Sequence, residues 1–273
     1  MRDSIDFIEA FNNGSRHSVE TYMKTSIKEE HVELEVVYGD LETKKKLTKQ
    51  QFLDLKHHLT NSSAYVNLGD SDTLDIKTEY KKRHKSFPSS MRLSIEGLSQ
   101  IKSYCKQDLL DPLTYTLINK LRYKADKKET QDKDMFYDSI ISTEYPCRVN
   151  LKNEFPVEDN SPERAVFIKD WSKKNKSFRY KKRYSFMTPN NIWRIDLTAV
   201  KQTKSGEYFK TFKSSNVLGQ VELFELEIEY IGNDDLKNQF NLPPIIKYAE
   251  LVNEVNSPDF DWESSLGNPS NAL

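Results

Sequence analysis

The sequence has little glycine and almost no net charge. Only eight of its 273 residues are glycine, and 41 Lys and Arg nearly balance 42 Asp and Glu, which leaves a formal net charge of −1. A near-neutral chain has no overall electrostatic attraction for nucleic acid or for a membrane surface. Any site for a polyanion must therefore come from local separation of charge.

Cysteine and long apolar runs are also scarce. The two cysteines, Cys105 and Cys147, form neither a CxxC metal motif nor a disulfide framework, which favours a reducing compartment. The N-terminus MRDSIDFIEAF lacks the apolar core of a signal peptide, and no later run approaches the length of a membrane span. We therefore expect a soluble, intracellular protein with no membrane partner.

Alternation of apolar and polar residues is the main pattern present. The hydrophobic content of 36% is low, but 11% aromatic residues are too many for a disordered chain. Alternation at period two predicts strands at 31–40, 90–95, 114–124, 147–154, 177–186, 192–200 and 221–232. Helical spacing predicts helices at 18–28, 48–59, 96–106 and 244–255. The chain is therefore expected to be a mainly antiparallel β-protein, of the α+β kind, with a few helices packed outside.

Local signals refine this organisation. Thr48 is a candidate N-cap for the second helix, whose Phe52, Leu55 and Leu59 fall on one face. The polar segment 201–208 is typical of a hairpin turn. Residues after 255 are rich in Ser, Asn and Pro, so we expect a folded domain over 1–255 and a linker or tail over 256–273.

Each predicted strand has one apolar and one charged face, and the charged faces differ in sign. Like-charged residues two apart on a strand lie roughly 7 Å apart, so a pair costs about 0.6 kcal/mol in water and about 2.4 kcal/mol at an effective dielectric of ~20. Solvated faces usually mix signs for this reason. Here ELEIEY aligns three glutamates and RYKKRY aligns three cations, which are Glu225, Glu227 and Glu229, and Arg179, Lys181 and Arg183. For any single strand, a solvated outer face remains the alternative.

Separate rows of carboxylates and cations suit phosphoryl transfer. Mg²⁺ and Mn²⁺ prefer carboxylate oxygens and retain waters or phosphate oxygens in their shell. Arg and Lys bind the remaining phosphate oxygens. Because metal and cations together stabilise the charge of the transition state, the pattern favours a metal-dependent phosphohydrolase.

Four motifs, in order, resemble a known family. ELEVVYG at 33–39 with ELEIEY at 225–230 resembles the paired ExE motifs of the triphosphate tunnel metalloenzymes. RYKKRYSF at 179–186 and WRIDLTAV at 193–200 look like the RxKxR and RxDxT strands of its fungal and large-DNA-virus branch, the RNA 5′-triphosphatases of mRNA capping. The resemblance, over about residues 29–232, implies an eight-stranded antiparallel β-barrel tunnel with a charged interior and outer helices. It also implies an enzyme that removes the γ-phosphate of nascent mRNA as the first step of cap formation.

The resemblance further implies roles for individual residues. The metal would be held by Glu33, Glu35 and Glu229, with support from Glu225 and Glu227. Glu154 would position the attacking water. The residues implied to bind the triphosphate are Arg92, Lys120, Arg179, Lys181 and Arg183, with Lys181 and Arg183 also catalytic, and with Arg194, Asp196 and Thr198 as neighbouring support. For Lys120, Arg122 and Lys124 on the same predicted face are alternatives.

Cofactor and partners follow from the same resemblance. It implies Mg²⁺ or Mn²⁺, the 5′-triphosphate end of RNA, and a guanylyltransferase domain or subunit, since no KxDG-type motif occurs in these residues. It is compatible with the N-terminal domain of a viral capping enzyme, acting in the cytoplasm, and in a viral factory or virion for a viral source. Two alternatives stay open: a tunnel enzyme that hydrolyses tripolyphosphate or nucleoside triphosphates, and a non-catalytic RNA-binding module.

Overall fold

The computed structural model of the chain describes residues 5–6, 11, 19–28, 30–39, 46–82, 84–123, 139–142, 144–232, 241–242, 245–247 and 249. The domain boundary expected at 255 and the tail expected over 256–273 lie outside these residues, and this division stays a prediction. Of the helix expected over 244–255, residues 245–247 and 249 are described, and they are helical.

The described elements are helices and a larger number of strands. The helices are α1 (Val19–Lys28), α2 (Lys49–Asn61), α3 (Leu98–Gln107), α4 (Pro162–Ile168) and α5 (Phe212–Ser215). The strands are β1 (Ile5–Asp6), β2 (Val32–Tyr38), β3 (Val66–Lys82), β4 (Lys85–Pro88), β5 (Met91–Glu96), β6 (Tyr115–Arg122), β7 (Ile140–Ile141), β8 (Cys147–Pro156), β9 (Lys176–Met187), β10 (Trp193–Gln202), β11 (Leu223–Tyr230) and β12 (Asn241–Leu242). The predicted strands and the first three predicted helices begin within two residues of the observed ones.

Eight strands close into an antiparallel barrel. They run in the order β2, β11, β10, β9, β3, β5, β6 and β8, and β8 pairs back onto β2. Strands β4 and β7 pair outside this ring with β3 and β8, and β1 pairs with β12. The eight-stranded antiparallel barrel expected from the resemblance is thereby confirmed.

The apolar faces of the strands point outward, and the helices cover them. In β10, Ile195 and Leu197 are fully buried on the outer face, because successive side chains of a strand point to opposite sides. One apolar cluster joins these residues to α1 and α2, and a second joins β3, β5 and β9 to α3 and α4. The hydrophobic core therefore surrounds the barrel, and the charged faces are turned inward.

Helix α2 shows how the sequence places this outer layer. The Thr48 hydroxyl accepts from the Gln51 backbone N–H at 3.2 Å, and the Gln51 side chain accepts from the Thr48 N–H at 2.9 Å. This capping box satisfies two free donors at the first turn and confirms Thr48 as the N-cap. Phe52, Leu55 and Leu59 are all buried against the barrel, as their spacing predicts.

Two features differ from the expectations. The long strand β3 has no counterpart among the predicted strands, since its first half, VNLGDSD, is rich in turn-forming residues and contains a register shift between Asn67 and Gly69. The hairpin turn expected at 201–208 is also wrong. Strands β10 and β11 do pair, but the 20 residues between them, 203–222, include α5.

No helix among the described residues is long and apolar enough to cross a membrane.

Replacing Leu55 by Ala should lower the free energy of unfolding by about 2–5 kcal/mol, because it leaves a cavity between α2 and the outer face of the barrel. Leu53, which is 46% exposed on the same helix, provides the matched control, and Leu53→Ala should change this free energy by less than about 0.5 kcal/mol. Urea denaturation measures both variants. Equal effects would contradict a core placed outside the barrel.

Candidate active site

The barrel encloses a cavity of about 560 Å³ lined mostly by charged side chains. Acidic side chains of the barrel strands that line it are Glu33, Glu35, Asp75, Glu154, Asp196, Glu227 and Glu229. Basic ones are Lys77, Arg92, Lys120, Lys152, Arg179, Lys181, Arg183 and Arg194. The two signs are contributed largely by different strands, so the cavity has an acidic side and a basic side.

The acidic wall, formed by Glu33 and Glu35 of β2 with Glu227 and Glu229 of β11, joins the two ExE motifs. Strands β2 and β11 are antiparallel neighbours, and their register sets Glu35 opposite Glu229. Burial, with the nearby charges of Glu33 and Asp196, raises the pKa of Glu229 to about 7 despite Arg194. Burial also raises the pKa of Glu33. At these two carboxyls the effect of burial therefore outweighs that of the neighbouring cations, Lys120 and Arg194.

Each glutamate implied to hold the metal contacts a cation. Lys120 Nζ lies 3.3 Å from Glu33 Oε2, Lys152 pairs with Glu35, and Arg194 pairs with Glu229. Within the described ranges, no three His, Cys, Asp or Glu side chains are grouped closely enough to hold a metal ion. The donor chemistry nevertheless fits one, since hard divalent cations prefer carboxylate oxygens and the register of β2 and β11 sets Glu35 opposite Glu229.

The basic row, Arg179, Lys181 and Arg183, lies along β9 and faces the cavity. Each of its members has its own carboxylate partner. Arg179 pairs with Glu225, Lys181 Nζ lies 2.7 Å from Asp75 Oδ2, and Arg183 lies 3.3 Å from Asp196. These ion pairs hold the three side chains of the basic row in the cavity.

Asp196 links the basic row to the acidic wall. Its carboxylate contacts Arg183, accepts from Arg194 Nε at 3.1 Å, and accepts from the Ser185 hydroxyl at 2.7 Å. Arg194 in turn pairs with Glu229. A side chain that is only 3% exposed therefore orients two arginines at once.

Glu154 of β8 lies beside the acidic wall, between two cations. It pairs with Lys120, and its Oε2 lies 3.4 Å from Arg92. Burial acts to raise its pKa, but Lys120 and Arg92 outweigh burial and hold that pKa below the usual value. Glu154 is therefore an ionised carboxylate, able to accept a hydrogen bond from a water.

All of the predicted site residues line the cavity except Thr198 and Glu225. These two lie opposite each other on β10 and β11. Thr198 is 1% exposed, and its hydroxyl has no hydrogen-bond partner among the described residues. Among the described residues, the ion pair of Glu225 with Arg179 connects it to the site.

Strand β3 supplies two cavity residues that the sequence interpretation missed, Asp75 and Lys77. The alternating run TLDIKT at 73–78 is the signal that could have found them. Burial, with Arg92 and Lys120 nearby, lowers the pKa of Lys77. Among the described residues no carboxylate forms an ion pair with Lys77, which distinguishes it from the basic row.

The closed barrel and its charged lumen define the fold of the triphosphate tunnel enzymes. The capping enzyme triphosphatase of Mimivirus shares this fold at a TM-score of 0.50 and 16% identity, over 85% of this chain and 91% of that one. The Pct1 RNA triphosphatase of S. pombe is a weaker match, at a TM-score of 0.40 and 16% identity over 85% of this chain and 77% of that one.

The chain is also similar in sequence to a known protein. Over 192 residues, 68% of its length, the chain is 28% identical to the mRNA-capping enzyme subunit beta of Debaryomyces hansenii. The chain spans about a third, 34%, of the length of that relative. No protein-family model matches the chain.

Replacing Asp75 by Ala should lower the free energy of unfolding by about 3 kcal/mol, because it leaves Lys181 buried without its carboxylate. Adding Lys181→Met should recover part of this loss, since the stranded charge is then removed. Asp70→Ala breaks the exposed pair with Lys182 and should change stability by less than about 1 kcal/mol. Chemical denaturation compares the three variants, and equal losses for Asp75→Ala and Asp70→Ala would refute the buried pair.

Proposed function

We propose that this chain is a metal-dependent RNA 5′-triphosphatase that removes the γ-phosphate of nascent mRNA, the first step of cap formation. Water attacks the γ-phosphorus, the bond to the β–γ bridging oxygen breaks, and the products are inorganic phosphate and a 5′-diphosphate end. The observation that carries this proposal is the meeting of the acidic wall and the basic row in one closed cavity. The similarity to a capping enzyme subunit supports RNA as the substrate.

The triphosphate is bound by the basic row. Arg179, Lys181 and Arg183 take phosphate oxygens in place of their present carboxylate partners, with Arg bidentate and Lys as a point charge. Arg92 of β5 and Lys120 of β6 supply two further cations of the same cavity. Because ion pairs already hold these side chains in the lumen, they lose little further conformational entropy when the substrate binds.

Glu33, Glu35 and Glu229 would hold a divalent metal, Mg²⁺ or Mn²⁺, with Glu225 and Glu227 as outer support. The chemistry that such an ion would supply is Lewis-acid polarisation of the phosphoryl oxygens and partial neutralisation of their charge. Glu154 accepts a hydrogen bond from the attacking water and holds it in line with the scissile bond. Lys181 and Arg183 stabilise the charge that spreads over the phosphoryl oxygens, while Asp196 keeps Arg183 and Arg194 in position.

The product suggests the partner. A 5′-diphosphate end is the acceptor for guanylylation, so a guanylyltransferase domain or subunit is expected to act next. The relative from Debaryomyces hansenii is named as one subunit of a capping enzyme, which supports such a partner. The location in the cell then follows the site of capping, the cytoplasm for a cytoplasmic virus.

Glu35→Ala and Glu229→Ala should each lower phosphate release from γ-labelled triphosphate RNA by about a hundredfold or more, because each removes a charge that holds the metal. The far-ultraviolet circular dichroism should stay unchanged. Glu222, exposed just before β11, is the matched control, and Glu222→Ala should keep wild-type turnover with Mg²⁺ or Mn²⁺.

Near-native turnover of either site variant would refute the metal assignment. Turnover by the wild type without divalent metal would do the same. Competition of triphosphate RNA against tripolyphosphate and ATP separates the RNA enzyme from a tunnel enzyme for small molecules. Metal-independent RNA binding with no phosphate release would instead identify a binding module.

Lys77→Met should lower kcat/KM for triphosphate RNA by about tenfold, mainly through KM, because a cation with no carboxylate partner in the described chain is free to bind a phosphate oxygen. The free energy of unfolding of this variant should not fall, since the substitution removes the repulsion of Lys77 by Arg92 and Lys120. Lys182→Met, on the outer face of β9, is the control and should leave KM unchanged. An unchanged KM for Lys77→Met would exclude Lys77 from the substrate site.

A further inference from the structure

The hairpin of β3 and β4 begins at one rim of the tunnel. The cavity at this rim is lined by Lys77, Ser177 and the loop 203–208. Two residues beyond Lys77, Glu79 donates its backbone N–H to Asn175 O at 2.8 Å, and its carboxylate accepts from Asn175 Nδ2 at 2.8 Å. The root of the hairpin is therefore fixed to the mouth of the cavity.

One face of the hairpin combines two aromatic rings with two lysines. The register pairs Tyr80 with Phe87 and Lys82 with Lys85, and alternation along each strand puts all four side chains on one side. Tyr80 is 57% exposed and Phe87 is 44% exposed. Within the described residues, neither lysine has an acidic partner.

The opposite face of the hairpin has its polar groups satisfied. Ser86 donates its hydroxyl to Glu79 Oε1 at 2.5 Å, and Lys81 lies 3.9 Å from Glu79 Oε2. The two faces therefore differ in chemistry. Only the face of Tyr80, Lys82, Lys85 and Phe87, here named the aromatic–lysine face, presents unpaired positive charge beside exposed rings.

Such a face is costly unless it binds an anion. Like charges directly opposite each other on paired strands are destabilising, and Tyr80 and Phe87 leave 57% and 44% of their surface exposed. Single-stranded nucleic acid complements both features, because bases stack on aromatic rings while backbone phosphates pair with lysines. Tyr80 lies three residues past Lys77 along β3, roughly 10 Å at the usual rise of a strand. The odd separation puts Tyr80 on the face of β3 opposite to Lys77, so RNA that leaves the mouth of the cavity reaches the aromatic–lysine face by crossing this rim.

We infer that the aromatic–lysine face binds the first nucleotides of the single-stranded RNA whose 5′-triphosphate enters the tunnel. This inference rests on the proposed function, and it extends the RNA contact from the phosphates to the bases. Stacking on Tyr80 and Phe87 is tolerant of sequence, as a capping enzyme that acts on many transcripts requires. The hairpin would therefore favour RNA over tripolyphosphate or free nucleotides.

The test measures binding by fluorescence anisotropy and hydrolysis by phosphate release. The substrates are a 5′-triphosphate RNA 12-mer and inorganic tripolyphosphate. Tyr80→Ala/Phe87→Ala should weaken RNA binding by about tenfold or more. Lys82→Gln/Lys85→Gln should make the slope of log K against log salt shallower by about 1.4, for two lost phosphate contacts. Both double variants should hydrolyse tripolyphosphate at the wild-type rate.

Lys102→Gln/Lys106→Gln, with two exposed lysines on α3, is matched in charge and should bind RNA as the wild type does. Wild-type RNA binding by both hairpin variants would overturn the inference while leaving the triphosphatase in place, and the face would then suit a protein partner. Loss of tripolyphosphate hydrolysis would also overturn it, because the hairpin would then act on the catalytic cavity. Weakened RNA binding in a protein that releases no phosphate would support the hairpin contact and refute the enzyme.

Discussion

Mutual neutralisation of charges inside a closed barrel is the interaction on which this structure depends. Carboxylates and cations from different strands line the lumen in pairs, as Lys181 with Asp75 and Arg194 with Glu229 do. Without these pairs, an enclosed set of charges would repel and lose hydration at a cost of several kcal/mol per ion. Because the charged faces point inward, the apolar faces must point outward, and helices such as α2 are needed to bury them.

The sequence shows which side of each strand is charged, but not how the strands meet. Alternation around Glu35, Lys181 and Glu229 is visible at once, and it correctly separates the inner from the outer faces. The pairing of Glu35 with Glu229 joins residues almost two hundred positions apart, and only the family resemblance anticipated it. Parity also says nothing about depth along the tunnel, so Thr198 and Glu225 were grouped with cavity residues although neither lines the cavity.

Strand β3 was missed for a local reason. Gly69, in a backbone conformation with φ of +99°, and the register shift beside it interrupt the alternation in the first half of the strand. The second half, which carries Asp75 and Lys77, alternates regularly but is short enough to be hidden by its neighbours. The turn-forming residues of its first half thus explain why sequence patterns did not predict β3, the strand that closes the barrel and carries Asp75, the buried partner of Lys181.

The ion pairs also explain how the lumen can be both stable and receptive. In the free protein, most of the acids and cations of the lumen form ion pairs with one another. A metal at the acidic wall and a triphosphate at the basic row would replace these partners, so no charged side chain would be left unpaired. The charged side chains lose their water on folding, and binding therefore does not incur that desolvation cost again. Pairing is incomplete towards one rim, where Lys77 and then Lys82 and Lys85 have no acid among the described residues. These unpaired cations lie at and beyond one rim, where they would attract the charged end of a polyanion.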